Sequence, residues 1–109
     1  MAAERIVDDV VDHFLREKLD TINREYVPSH LILFGSRAIG CAREDSDIDL
    51  IVVSERFRNT RFPNRMGEFL IKIRPDVHVD AICYTPEEFE DLKTWPFVKN
   101  AIDNGIHIE

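Results

Sequence analysis

Three short apolar runs leave this chain little choice of architecture. His30-Leu31-Ile32-Leu33-Phe34, Asp47 to Val53 and Val77 to Tyr84 are five to eight residues long and rich in β-branched or aromatic residues. That is strand length and strand composition. Around them the spacing turns helical. From Ala3 to about Asn23, Ile6, Val7, Val10, Val11, Phe14, Leu15, Leu19 and Ile22 form one stripe, with Asp8, Asp9, Asp12 and Arg16 opposite. Ser36 is placed to cap a short helix that stops near Gly40. Pro63 suits the first turn of a helix to about Ile73, striped by Met66, Phe69, Leu70 and Ile73. Thr85-Pro86-Glu87-Glu88 reads as a capping box for a helix ending before Pro96. A last helix runs from about Phe97 to Asp103, Gly105 ends it, and Ile106-His107-Ile108 can add an edge strand. The pattern predicts an α/β (α+β) fold: a mixed sheet of three to four strands with helices packed against it.

At 109 residues the chain suffices for one hydrophobic core, so residues 1–109 read as a single domain. The 44% hydrophobic and 32% charged content is that of a globular protein, not a disordered one. No apolar run approaches the roughly 20 residues that cross a bilayer, and the N-terminus lacks a signal-peptide layout. These features predict a cytoplasmic protein without membrane contact. Cys41 and Cys83 then read as reduced and buried. A net charge of −7 argues against clamping extended nucleic acid. Arg56, Arg58, Arg61, Arg65, Lys72 and Arg74 still make a locally basic segment, either a solvated helix face or a surface for phosphate or a partner.

The chemistry gathers where the first two runs meet. Gly35 and Ser36 end a buried run and open a helix, a place where backbone N–H groups and a hydroxyl can meet phosphate oxygens. After ten residues that follow Ser36, Asp47 and Asp49 stand one residue apart on the second run, so their side chains leave one face. Two carboxylates on a strand that continues as Ile51 and Val53 repel each other and lose hydration, and a cation between them relieves both costs. Without the glycine and serine upstream, loop capping or pairing with Arg37 and Arg43 would explain them as well. In the third run Asp80 shares a face with His78 and Ile82, and an aspartate there calls for an arginine or a metal. The lone histidines and the two cysteines have no zinc-ligand spacing. Trp95-Pro96-Phe97 reads as packing for a helix end, or as an interface if exposed.

Gly35-Ser36, ten residues, then Asp47-Ile48-Asp49 resembles the signature of the nucleotidyltransferase superfamily that includes DNA polymerase beta. The longer run from Phe34 through Val53, opening Phe34-Gly35-Ser36-Arg37, is similar to the minimal nucleotidyltransferases, which often accompany a HEPN-domain partner as toxin–antitoxin pairs. A second basic residue common in relatives is Ile39 here. The resemblance implies that Asp47, Asp49 and Asp80 are catalytic and hold two Mg²⁺ ions, with Mn²⁺ an alternative. It also implies that Gly35, Ser36 and Arg37 bind the nucleotide, ATP or another nucleoside triphosphate. The implied reaction moves a nucleoside monophosphate, AMP first among the candidates, to a hydroxyl such as a tyrosine of a HEPN-domain toxin, the chain acting as antitoxin. Two alternatives stand beside it: a vestigial antitoxin that neutralises its partner by binding, and a homodimeric nucleotidyltransferase for antibiotic-like small molecules.

Overall fold

The computed structural model describes residues 8–108. In chain order it has α1 (Asp9–Tyr26), β1 (His30–Phe34), α2 (Ser36–Ile39), β2 (Ile48–Val53), a 3-10 turn (Glu55–Phe57), α3 (Phe62–Ile73) and β3 (Val79–Tyr84), followed by α4 (Pro86–Leu92), α5 (Pro96–Asn104) and β4 (Ile106–His107). Every expected element is present, in order. The differences lie at the ends. Asp8 takes an extended backbone and accepts a hydrogen bond from the Val11 amide, so it caps α1, which begins at Asp9; the expected start at Ala3 lies outside the described residues. The apolar residues Ile6 and Val7 lie outside the described residues. At α2 the cap position falls on Gly35, and Ser36 is the first helical residue with no capping role. The capping box at Thr85 is present with both of its reciprocal bonds.

The strands form one sheet in the order β3-β2-β1-β4. β1 runs antiparallel to β2 and to β4, while β2 and β3 are parallel. A parallel pair requires a crossover, and the 3-10 turn and α3 supply it. Alternation along the strands then sorts the side chains. Leu31, Leu33, Ile48, Leu50, Val52, Val79, Ala81 and Cys83 face α1 and α3, where Phe14, Ile22 and Phe69 complete the larger core. Ile32, Ile51, Val53 and Tyr84 face the other way and pack with Phe89 of α4 and with Val98 and Ala101 of α5. Each Val, Leu, Ile or Phe among them, once buried, contributes about 1.5–3 kcal/mol. β2 is therefore covered on both faces, except at its start, where Asp49 replaces an apolar residue.

Cys83 is buried as expected, whereas Cys41 lies exposed just beyond α2. The loop from 40 to 47 is polar and short of apolar partners, which leaves a small residue there nothing to pack against. Among the described residues no helix is long and apolar enough to cross a membrane.

Candidate active site

The strand register draws the predicted carboxylates together. Asp49 sits in the central strand, opposite Phe34 of β1 on one side and Asp80 of β3 on the other. Neighbouring strands lie about 4.8 Å apart, so two like charges at paired positions repel. Asp47 falls one residue before β2 and is exposed, yet its charge reaches Asp49. Burial, then Asp80, then Asp47 raise the Asp49 carboxyl above the ordinary aspartate range, and no neighbour acts the other way. Among the described residues no three or more His, Cys, Asp and Glu side chains form a ready-made metal cage. The arrangement is an open row of carboxylates at one end of the sheet, and oxygen donors of this kind suit a hard divalent cation shared with phosphate.

Gly35 stands directly against this row. Its backbone angles are φ 76° and ψ −161°, a region open to glycine and costly for other residues. A Cβ there would overlap the Asp49 Oδ2 atom and lie 3.2 Å from its Cγ. The missing side chain therefore makes room first for the Asp49 carboxylate. Ser36 follows at the start of α2. Four residues give α2 little macrodipole, so what it offers an anion is local: first-turn N–H groups and the Ser36 hydroxyl.

Arg37 belongs to a different structure. The residue is 6% exposed, and its guanidinium donors are engaged. Nη1 bonds both Asp8 oxygens at 3.0 and 2.9 Å, Nε donates to the Ser46 carbonyl at 2.9 Å, and Nη2 donates to the Arg43 and Glu44 carbonyls at 3.1 Å each. A guanidinium has five N–H donors, and here five acceptors take them. These bonds tie the loop before Asp47 to the cap of α1 and occupy the donors that the expected phosphate contact of Arg37 would use. They also remove Arg37 as the cation that could have explained the aspartates structurally.

A family model described as "Nucleotidyltransferase domain" matches residues 15–108, from α1 to the last strand. The chain belongs to this nucleotidyltransferase family. Among solved structures, the chain is similar to a Sulfolobus solfataricus protein crystallised as a nucleotidyltransferase whose activity is itself an inference. The TM-score is 0.61 at 21% identity, over 97% of this chain and 84% of that one. At that identity the likeness speaks for the small nucleotidyltransferase fold and no further. No curated protein matches significantly.

Two clefts had no motif to announce them. One of about 230 Å³ lies beside Asp80, walled by Phe62, Pro63, Met66 and Ile82. Another lies beside Gly35, between β1 and α5. Both are made of residues far apart in sequence, so spacing carried no trace of them. His78 precedes β3, where its carbonyl accepts from the Ile48 amide beside Asp47, and it lines a hollow with Arg74 and Asp76. The basic segment is largely consumed by internal pairing. Arg58 bonds Glu55 and Glu87, Arg56 reaches the Glu25 carbonyl, and Arg65 is buried against Glu88. Trp95 and Phe97 are exposed and do not pack the helix end.

Proposed function

We propose that the chain transfers AMP from ATP to a hydroxyl of a protein acceptor, a tyrosine of a HEPN-domain toxin, and so acts as its antitoxin in the cytoplasm. One observation carries this reading: Asp49 pairs with Asp80 at the sheet end that holds Gly35 and Ser36, and burial, Asp80 and Asp47 all disfavour its charge. A structural ion pair would lower that carboxyl; a row awaiting a cation raises it.

Asp47 and Asp49 would hold Mg²⁺ together with the triphosphate, and Asp80 would complete the set. Mg²⁺ bound there supplies charge neutralisation of the phosphates and a more acidic acceptor hydroxyl. Gly35 and Ser36 orient the phosphates through backbone N–H groups and the hydroxyl. Asp80 takes the acceptor proton as the hydroxyl oxygen bonds to the α-phosphorus, the bond to the bridging oxygen breaks, and pyrophosphate leaves. The cleft beside Asp80, with Phe62 and Met66 as walls, supports an acceptor whose hydroxyl sits on an apolar body such as a phenol ring.

Labelled ATP, Mg²⁺ and the product of the adjacent gene test this directly. Label is expected on the partner and absent with Asp47→Asn. Neutralisation of the partner by both proteins without label transfer would sink the enzyme in favour of a binding antitoxin. Transfer only to an added small hydroxyl compound would replace the protein acceptor with a small one.

A further inference from the structure

The cleft beside Gly35 has a volume of about 310 Å³, at the small end of cavities that hold small ligands. It opens on the sheet face that carries Asp49. Phe34, the register partner of Asp49, lines its base. Ile39 of α2 and Phe97, Asn100 and Asn104 of α5 wall it. Phe97 meets Phe34 edge to face, with centroids 5.5 Å apart and planes at 89°, yet 53% of Phe97 stays exposed. Ile39 is 64% exposed at the opposite wall. Neither packs a core, so both keep apolar surface free for a flat ligand. The Asn104 Nδ2 donates to the Asn100 Oδ1 at 3.2 Å. That bond leaves an amide oxygen on Asn104 and amide hydrogens on Asn100, an acceptor and a donor side by side. A nucleobase edge presents the complementary pair.

Building on the triphosphate site proposed above, we propose that this cleft takes the nucleobase of the triphosphate. The base packs between Ile39 and Phe97, its edge meets Asn100 and Asn104, and the phosphates run past Gly35 toward Asp49. A ligand that is flat and apolar at one end and polyanionic at the other fits this succession of walls. A peptide helix does not fit a hollow of this size, and a bare phosphate chain has no use for its aromatic wall.

Calorimetric titration with ATP and with inorganic tripolyphosphate, both with Mg²⁺, tests it. Wild type should bind ATP more tightly than tripolyphosphate by roughly 5- to 100-fold, the worth of one base–aromatic stack. Phe97→Ala, and separately Asn100→Ala with Asn104→Ala, should lose most of that margin and leave tripolyphosphate affinity unchanged. All three positions are exposed, and an unaltered melting temperature will show that the variants fold. Equal binding of the two ligands by wild type overturns the cleft assignment and leaves the triphosphate site standing. So does a Phe97→Ala variant that keeps the full margin or weakens both ligands alike. Binding of neither ligand overturns the triphosphate site itself, and the cleft assignment with it.

Discussion

At Gly35 one residue answers to two demands. The backbone needs an angle that side chains avoid, and the Asp49 carboxylate fills the place where a Cβ would go. Gly35→Ala should therefore cost roughly 1–3 kcal/mol in stability. It should also push Asp49 out of line, with nucleotide transfer falling at least about tenfold, the effect of losing some 1.4 kcal/mol of transition-state stabilisation. Urea denaturation and a transfer assay on the same preparation check both parts. The glycine, the serine and the three aspartates were all legible in the sequence, because residue type and spacing alone mark them. The reason for the glycine was not, since its nearest neighbour is a side chain fourteen positions away. The partners of Arg37 were hidden for the same kind of reason. A buried guanidinium needs a carboxylate, and nothing near it in the chain says that the carboxylate is Asp8.

Among the elements, the junction of α3, β3 and α4 shows a local signal recruited for a distant task. Glu88 closes the capping box at Thr85 and also receives Arg65, which bonds the Thr60 and Cys83 carbonyls as well. The Arg65 hydrogen bond is the foremost reason that the Glu88 carboxyl lies below its ordinary value. The native state therefore binds that proton less readily than the unfolded chain. The stabilisation is complete above the ordinary glutamate value of 4.5 and fades as pH falls through the lowered native value. Glu88→Gln should cost about 1 kcal/mol at pH 7, less than a fully buried charged hydrogen bond, because 39% of the side chain meets water. Urea titrations at falling pH should show wild type and variant converging below pH 4.5. The capping box could be read from four consecutive residues, but Arg65 could not be told from the solvated arginines around it.

The whole molecule is a sheet with unlike faces. One carries the larger core under α1 and α3, the other a smaller core under α4 and α5 that stops short of the carboxylates. Strands and helices were legible from β-branching and helical periodicity, which are local. The order β3-β2-β1-β4 was not, because pairing joins residues tens of positions apart. A ligand that spans the carboxylate row and the turn at Gly35 stabilises only the assembled sheet. Mg²⁺ with ATP at a hundredfold excess over Kd should add roughly 2.7 kcal/mol and raise the melting temperature. Asp49→Asn should respond little to the same addition. Differential scanning fluorimetry with and without Mg²⁺ reads this, and an equal rise in both proteins would contradict the placement.

The tie between Arg37 and the loop before Asp47 has a further consequence, for proteolysis. Arg43 is an exposed arginine in a polar loop, apparently ideal for trypsin, but its carbonyl and that of Glu44 point at a buried guanidinium. A serine protease must draw the scissile carbonyl into its own oxyanion hole, which this guanidinium contests. Arg37→Met strands the Asp8 carboxylate and should destabilise the fold by about 3–5 kcal/mol. Limited trypsinolysis with mass readout should find rapid cleavage after Arg43 in that variant and slow cleavage in wild type. A segment with the composition of a digestible linker is thus kept intact by a single side chain that no protease can reach.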